Sequence, residues 1–254
     1  MYLFDTHCHL DLDAFANDRD AVLASARAQG VRDILVPGVE RRNWSELAAF
    51  CATDNNLHLA LGLHPVFLDT HGEGDVDALG QAVETWRPIA IGEIGLDWQI
   101  KSLDRDRQQG LLEGQLAVAE TFGLPVVLHV RKAHDAMLAT LQRFTLPGGF
   151  CHAFNGSHQQ AEKYLDRGFR LGFGGMLTYE RSKHLRRLAA ALPAEAIVLE
   201  TDAPDMTVAS HRYQRNSPAY LPEVLSALAG IRQTDAETLA DVTTQNAYSV
   251  LGLG

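Results

Sequence analysis

Eight short apolar runs recur along the chain, each bounded by glycine, proline or polar residues. They are rich in valine, isoleucine, leucine and phenylalanine, which is typical of strands that are buried on both faces of a parallel sheet. The runs predict strands over residues 2–6, 33–36, 57–61, 89–92, 125–130, 149–153, 170–173 and 196–201.

Stretches with helical periodicity separate these runs. In the first of them, Val22, Leu23 and Ala26 share one face of a helix, as an amphipathic helix requires. Farther along, Ser217 is a good N-cap and Pro218 suits the first helical position. The pattern predicts helices over residues 19–29, 43–52, 76–85, 106–122, 133–143, 159–167, 182–191, 218–231 and 235–251.

The alternation of strands and helices predicts an α/β fold, a (β/α)8 TIM barrel with an additional C-terminal helix. No linker rich in proline, glycine or serine divides the chain, so we expect a single domain over residues 1–254. A doubly wound sheet usually has fewer strands at this length, and no G-x-G-x-x-G follows the first strand. In a TIM barrel the active site lies at the carboxyl ends of the strands.

Composition narrows the class of protein further. Hydrophobic residues make up 46% and charged residues 21%, which excludes a disordered or low-complexity chain. No apolar run is long enough to span a membrane, and no secretory signal is evident. Cys8, Cys51 and Cys151 form no C-x-x-C pair, so neither a zinc ribbon nor a disulfide framework is indicated. We therefore expect a cytoplasmic protein that has no membrane partner.

Charge bears on the choice of partner. Lys plus Arg number 22 and Asp plus Glu number 32, so the formal net charge is −10. An acidic surface disfavours tight nonspecific binding to a long nucleic acid. It does not exclude a phosphodiester substrate, because cations bound locally would attract one phosphate at short range.

The predicted strand ends carry histidines and carboxylates. His7 and His9 alternate after the first strand and therefore share a face. Neutral imidazole and carboxylate bind Zn²⁺, Mn²⁺, Fe²⁺ or Mg²⁺, and a carboxylate can bridge two such ions. One interpretation assigns a first ion to His7, His9, Glu93 and Asp202, and a second ion to Glu93, His129 and His152.

These residues resemble the TatD family of metal-dependent hydrolases, within the amidohydrolase superfamily. The similar motifs span residues 5 to 247 and include Asp5-Thr-His7-Cys-His9, Gly62-Leu-His64-Pro65, Gly92-Glu93-Ile-Gly-Leu-Asp97, His129-Val-Arg131, Cys151-His152-Ala-Phe, Glu200-Thr-Asp202-Ala-Pro204, Arg215-Asn216-Ser-Pro218 and Thr244-Gln-Asn246-Ala247. The resemblance implies a (β/α)8 barrel, a divalent-metal centre and often deoxyribonuclease activity. It also implies that Glu93 is the bridging ligand and that Asp202 lies beside the nucleophilic water, so these two are the catalytic candidates.

Two carboxylates lie near the predicted ligands. Asp5 and Glu200 are placed to accept hydrogen bonds from ligand histidines, although a buried structural ion pair is an equal alternative.

Candidate substrate contacts lie around the predicted mouth of the barrel. His64 either contacts substrate or fixes the turn before Pro65. Arg131 either meets a phosphate or pairs with Asp135. The further candidates are Asn155 before the sixth helix and Arg215 after the eighth strand.

Three functions fit these residues. The first is a divalent-metal-dependent phosphodiesterase that acts on DNA ends through two-metal activation of water. The second is a hydrolase of a carbonyl bond in an amide, lactone or aminoacyl ester. The third is a non-catalytic metal- or nucleic-acid-binding module, which six convergent ligands disfavour. No obligate protein partner is evident, and we expect a monomer.

Overall fold

The computed structural model describes residues 1–253, whose eight parallel strands form one sheet in the order of the chain. The strands are β1 (Leu3–Asp5), β2 (Val31–Pro37), β3 (Leu57–Leu61), β4 (Ala90–Asp97), β5 (Val126–Arg131), β6 (Gly149–Cys151), β7 (Phe169–Phe173) and β8 (Ile197–Leu199). The N–H of Thr6 donates to the carbonyl of Leu199 at 3.0 Å, which joins the end of β1 to the end of β8. The predicted (β/α)8 barrel is confirmed.

Helices follow the strands around the outside of the sheet. Those that the structure describes in residues 1–253 are α1 (Arg19–Ala28), α2 (Trp44–Cys51), α3 (Asp75–Trp86), α4 (Arg105–Phe122), α5 (His134–Leu141), α6 (His158–Leu165), α7 (Lys183–Ala191), α8 (Leu221–Arg232) and α9 (Ala236–Leu251). The eighth predicted helix is divided, because a 3-10 turn over Pro218–Tyr220 precedes α8. Proline is tolerated only in the first turn of a helix, so Pro218 and Pro222 each begin a helical segment.

Helix α9 closes the amino-terminal end of the barrel. Its Ala247 and Leu251 belong to the apolar cluster that fills the interior, together with one side chain from each of seven strands: Phe4, Leu35, Ala60, Ala90, Val127, Phe150 and Val198. Burial of each large side chain of this kind stabilises the fold by about 1.5–3 kcal/mol. Asn246 donates to the carbonyls of Ala194 and Ile197 at 2.9 and 2.8 Å, which fixes α9 to the start of β8. The opposite, carboxyl end of the barrel is left open for a site.

Strand β4 is longer than its apolar run predicts and is irregular. Its register to β5 shifts between Ile91 and Ile94, and Glu93 lies inside this irregular stretch. Glycine is required beside it, because a Cβ on Gly62 would lie 2.6 Å from the carbonyl carbon of Gly92. The residue after β3 therefore packs directly against the backbone of β4 next to Glu93. The Glu93 side chain is only 2% exposed.

Candidate metal centre

Six predicted metal ligands meet at the open end of the barrel. They come from five different strands or from the residues that follow them, so the closed sheet is what brings them together. All but two belong to the buried class, and the remaining two are partly buried. The six are His7, His9, Glu93, His129, His152 and Asp202.

The two carboxylate oxygens of Glu93 face different histidines. Oε2 lies 3.1 Å from Nε2 of His7 and 3.3 Å from Nε2 of His9. Oε1 lies 3.0 Å from Nδ1 of His129 and 3.3 Å from Nε2 of His64. Glu93 therefore stands between two sets of nitrogen atoms and belongs to both.

The first set has the dimensions of a four-coordinate cation site. Nε2 of His7 lies 3.1 Å from Nε2 of His9, and Oδ1 of Asp202 lies 3.6 and 3.7 Å from these two nitrogens. A tetrahedral ion with ligand distances of about 2.0–2.2 Å separates its ligand atoms by roughly 3.3–3.6 Å. These three side chains and Oε2 of Glu93 consequently fit one divalent ion.

In His9 and His129, the ring nitrogen that faces away from Glu93 is hydrogen-bonded, which leaves the nitrogen that faces Glu93 available to an ion. Nδ1 of His9 faces the carbonyl of Pro37 at 3.3 Å, and Nε2 of His129 faces Oδ2 of Asp97 at 3.2 Å. Both partners are acceptors, so the proton of each neutral ring lies on that outer nitrogen. The other nitrogen then presents its lone pair toward Glu93, as a ligand must.

Glu200 lies directly behind His152. Nδ1 of His152 lies 3.0 Å from Oε1 of Glu200, and Nε2 lies 3.8 Å from Oδ2 of Asp202. The N–H of Ala153 donates to the same Glu200 oxygen at 2.7 Å. A Cβ on Gly172 would lie 2.1 Å from Oε2 of Glu200, so this glycine makes room for the carboxylate.

His64 differs from His9 and His129, because its protonated nitrogen faces Glu93. Its Nδ1 accepts a hydrogen bond from the N–H of Val66 at 3.1 Å, so in the neutral ring Nε2 carries the proton. Burial lowers the pKa of His64 to about 4, which keeps the ring neutral at pH 7. His64 therefore presents an N–H donor to Glu93, although its distance alone would also permit a ligand.

The charges of the cluster favour its protonation when no cation is bound. Burial lowers the pKa of His9 and of His152, but nearby carboxylates outweigh it and raise the two values to about 9 and about 10. Burial raises the pKa of Asp202 to about 6. Without a cation, protons on His9 and His152 therefore balance the negative charge of the carboxylates, and a divalent cation would displace these protons.

Asp5 contacts the backbone and the Thr201 hydroxyl and neither an imidazole nor a basic side chain, so it takes neither of the two roles that the sequence left open. Its Oδ1 accepts from the N–H of His7 at 3.3 Å and from the N–H of Thr201 at 2.9 Å. Its Oδ2 accepts from the hydroxyl of Thr201 at 2.6 Å. Asp5 thereby holds the segment before Asp202 against the end of β1.

A pocket of about 700 Å³ opens above the cluster. Three of the four predicted substrate contacts line it, namely His64, Arg131 and Asn155. The Arg131 guanidinium lies 3.7 Å from Oδ2 of Asp97 and is half exposed, so it pairs with that residue and not with Asp135 as the alternative held. The remaining wall is largely apolar and includes Leu12, Val39, Phe67, Phe154, Met176, Leu185 and Met206.

The fourth predicted contact, Arg215, binds another residue and lies outside the pocket wall. Its guanidinium donates to both carboxylate oxygens of Asp18, at 2.9 and 2.7 Å, and lies over the ring of Phe15. It does not line the pocket that the described residues form. The contact joins the β8–α8 loop to the start of α1. A prediction based only on the position of Arg215 after the eighth strand does not reveal this partner.

Sequence reasoning missed two residues of the site. Asp97 is not among the predicted site residues, although it lies four positions after Glu93 on the same strand and faces Nε2 of His129 at 3.2 Å. The sequence does not single out His134, yet it is buried, with Nδ1 3.2 Å from the Tyr164 hydroxyl and Nε2 3.4 Å from Oδ1 of Asn155, a residue that lines the pocket. Even spacing from Glu93 could have revealed Asp97, whereas no local signal marks His134.

Within residues 1–253, every helix is too short or too polar to span a membrane.

Comparison with known proteins gives matches that cover almost the whole chain. The chain is 39% identical over 253 residues to the uncharacterized metal-dependent hydrolase YjjV of Escherichia coli K12, covering 98% of this chain and 97% of that one. It is 32% identical over 258 residues to the 3'-5' ssDNA/RNA exonuclease TatD of Klebsiella pneumoniae, covering 99% and 98% of the two chains.

Solved structures agree with these matches. The crystal structure of YjjV superimposes with a TM-score of 0.95 at 38% identity, over 99% of this chain and 98% of that one. An uncharacterized amidohydrolase from Saccharomyces cerevisiae shares the fold, with a TM-score of 0.83 at 18% identity over 98% and 99% of the two chains. Residues 4–252 match the family described as TatD related DNase. The chain therefore belongs to the TatD family of metal-dependent hydrolases.

Proposed function

We propose that this protein is a divalent-metal-dependent phosphodiesterase that acts on the ends of single-stranded nucleic acid. One observation carries the proposal: Oε2 of the buried Glu93 carboxylate faces Nε2 of His7 and of His9, whereas Oε1 faces Nδ1 of His129 at 3.0 Å and lies 4.0 Å from Nε2 of His152. A carboxylate shared in this way is suited to two cations, and paired cations are typical of enzymes that cleave phosphodiesters.

Two ions would be held by the six predicted ligands. His7, His9, Glu93 and Asp202 would hold the first, and Glu93, His129 and His152 the second. When bound, divalent cations polarise phosphoryl oxygens and supply a nucleophile from water at neutral pH. The mixed set of imidazole and carboxylate donors suits Zn²⁺ or Mn²⁺ better than Mg²⁺, which prefers oxygen ligands.

The side chains of the chain supply the remaining steps. Asp202 is the acceptor for a proton from the attacking water, because its side chain is 15% exposed toward the pocket and lies within reach of His152. His64 presents an N–H donor, which is suited to an oxygen that gains negative charge during the reaction. Arg131 lies at the pocket wall, where a guanidinium can bind a phosphate.

The substrate class is argued from charge and from the relatives. A net charge of −10 disfavours a long duplex, whereas one strand end requires few phosphate contacts. Relatives that are 32–33% identical are named 3'-5' ssDNA/RNA exonucleases. We extend the proposal to a single domain over residues 1–254, acting as a monomer in a reducing cytoplasm, with which the three buried free cysteines are consistent.

A second candidate is a hydrolase of a carbonyl bond. The apolar pocket wall favours it, since a neutral ester or amide leaves few charges to neutralise. The same pair of cations would polarise a carbonyl oxygen. Phosphodiester cleavage is preferred because His64 and Arg131 line the pocket with N–H groups that would suit an anionic phosphate.

The two candidates are separated by direct assay. The metal-loaded protein is incubated with a 3'-labelled single strand, with a hairpin duplex and with a panel of aryl esters and aminoacyl esters. We expect mononucleotides from the single strand, and no product after chelation. Ester hydrolysis without any nucleotide release, by protein that demonstrably holds metal, would transfer the assignment to the second candidate.

A further inference from the structure

We propose that the rim of the pocket formed by the β7–α7 and β8–α8 segments binds the single strand as it leaves the active site. The proposal rests on the proposed function, and it names the surface and the residues that take the following nucleotides. Four exposed cations define this basic rim: Arg181, Lys183, Arg187 and Arg212.

The basic rim is set apart by its sequence. Residues 181–194 contain four lysines and arginines and no carboxylate, and residues 206–222 contain two arginines and no carboxylate. In a chain with net charge −10, such stretches are local exceptions. Their positive charge is what a polyanion would contact first.

Tertiary contacts join the second stretch to residues 178 and 179, which come just before the first stretch. The hydroxyl of Tyr179 donates to the carbonyl of Thr207 at 3.1 Å, and the N–H of Ala209 donates to Oγ1 of Thr178 at 2.8 Å. Residues from both stretches line the pocket, Leu185 from the first and Met206 from the second. The basic rim is therefore continuous with the mouth of the site.

The rim cations are not neutralised by carboxylates. None of the four forms a salt bridge to another residue in the 1–253 range, whereas Arg215 nearby is paired with Asp18. Glu180 and Asp205 are exposed beside the rim. Glu223 lies 3.5 Å from Nε2 of His211 and accepts from the Ser210 hydroxyl. None of these three carboxylates forms a salt bridge with the four cations. Free guanidinium and ammonium groups of this kind bind phosphate oxygens.

An aromatic side chain accompanies the charges. Tyr213 is 87% exposed, and the guanidinium of Arg212 lies 4.5 Å from its ring centroid. A ring this exposed is available to stack on a base. Alternating cations and exposed aromatic rings are typical of single-strand binding surfaces, where bases stack and phosphates are neutralised.

The test combines binding with cleavage. The triple variant R181A/K183A/R187A and the single variant Tyr213→Ala are compared with wild type on strands of two and twelve nucleotides. The matched control R32A/R87A/K163A removes three exposed cations that lie outside the β7–α7 and β8–α8 segments. Binding of a phosphorothioate twelve-mer is measured by fluorescence anisotropy on metal-loaded protein, so that it does not depend on turnover.

We expect the triple variant to bind the twelve-mer at least about tenfold more weakly and to lose roughly 2 from the slope of log affinity against log salt. Tyr213→Ala should weaken twelve-mer binding about tenfold with little effect on the salt slope. Cleavage of the dinucleotide should stay within about twofold of wild type in both variants. The control triple variant should match wild type.

The outcomes separate the rim from the proposed function. Strand binding that depends on the rim cations without any cleavage would support the rim and overturn the nuclease. Normal cleavage and binding in the rim variants, or no twelve-mer binding by wild type, would overturn the rim. Equal loss in the rim and control variants would show a general charge effect and would also overturn it.

Discussion

Nδ1 of His152 lies 3.0 Å from a carboxylate oxygen of Glu200, and this contact turns the second ring nitrogen toward Asp202. The pair His129 and Asp97 repeats the arrangement at 3.2 Å. In each pair a buried carboxylate decides which nitrogen carries the proton and which is available to a cation. The centre is thus built from oriented histidines and not only from a collection of ligand types.

Replacement of Glu200 tests this orientation. Glu200→Gln keeps the size of the side chain but removes the negative charge behind His152, so we expect metal affinity or turnover to fall about 10–100-fold. Metal content and kcat are the measurements. Asp33→Asn is the matched control, because Asp33 also pairs with a histidine, His58, at 2.8 Å, yet outside the metal cluster. Equal effects of the two substitutions would contradict a specific role for Glu200.

Replacement of Glu93 should affect both sets of ligands. In Glu93→Gln an NH₂ group replaces one of the two carboxylate oxygens, and an NH₂ group does not bind a cation. The negative charge that both sets of ligands share is also lost. We expect loss of most bound metal and a fall in turnover of at least 10³-fold, with secondary structure retained by circular dichroism. Retention of both the metal and most of the turnover in this variant would rule out a bridging carboxylate.

Asp202 combines ligation with proton transfer. Asp202→Asn removes the proton acceptor, and general base catalysis contributes about 10²–10⁴-fold. We therefore expect kcat to fall by about this factor, while KM for a dinucleotide changes far less. A variant that keeps wild-type kcat at every pH would assign the base to another group.

His64 should act as a donor and not as a ligand. His64→Asn retains an acceptor for the N–H of Val66, as asparagine commonly does two residues before an N–H, but it removes the Nε2 proton. We expect kcat to fall by about 10²-fold with metal content unchanged. His129→Asn is the comparison, since it should lower metal content as well. Loss of metal from the His64 variant would place His64 among the ligands.

Metal affinity should rise with pH. The pKa values of His9 and His152 stand at about 9 and about 10 in the metal-free chain, so both rings are protonated at pH 7. A cation must displace these protons. Below the pKa values, each displaced proton makes the metal affinity rise by up to about tenfold for each unit of increase in pH. Competition titrations at pH 6, 7 and 8 measure the slope. An affinity that does not vary over this interval would show that neither proton is displaced.

The sequence by itself determined the elements and the ligand types. Eight apolar runs and the periodic stretches between them carry the barrel, because strand and helix periods are local properties of the chain. His129 and His152 are predicted from their positions at strand ends, and the structure shows that alternation from the interior residues Val127 and Phe150 directs both side chains inward. The barrel rule then placed these residues at one end.

Only the tertiary structure decided how Glu93 points. Alternation counted from the interior residue Ala90 would direct Glu93 outward, and the irregular pairing of β4 to β5 turns it toward the histidines. That irregularity depends on the packing of neighbouring strands, which no local pattern records.

Long-range contacts decided the remaining roles. Arg215 is bound by Asp18, which lies 197 positions earlier, and Asp5 is bound to Thr201, which lies 196 positions later. Strand-end position predicts that a side chain is near the mouth of a barrel, but its partner depends on which loops pack together. The protonated nitrogen of each histidine is set in the same way, by acceptors and donors that only the folded chain supplies.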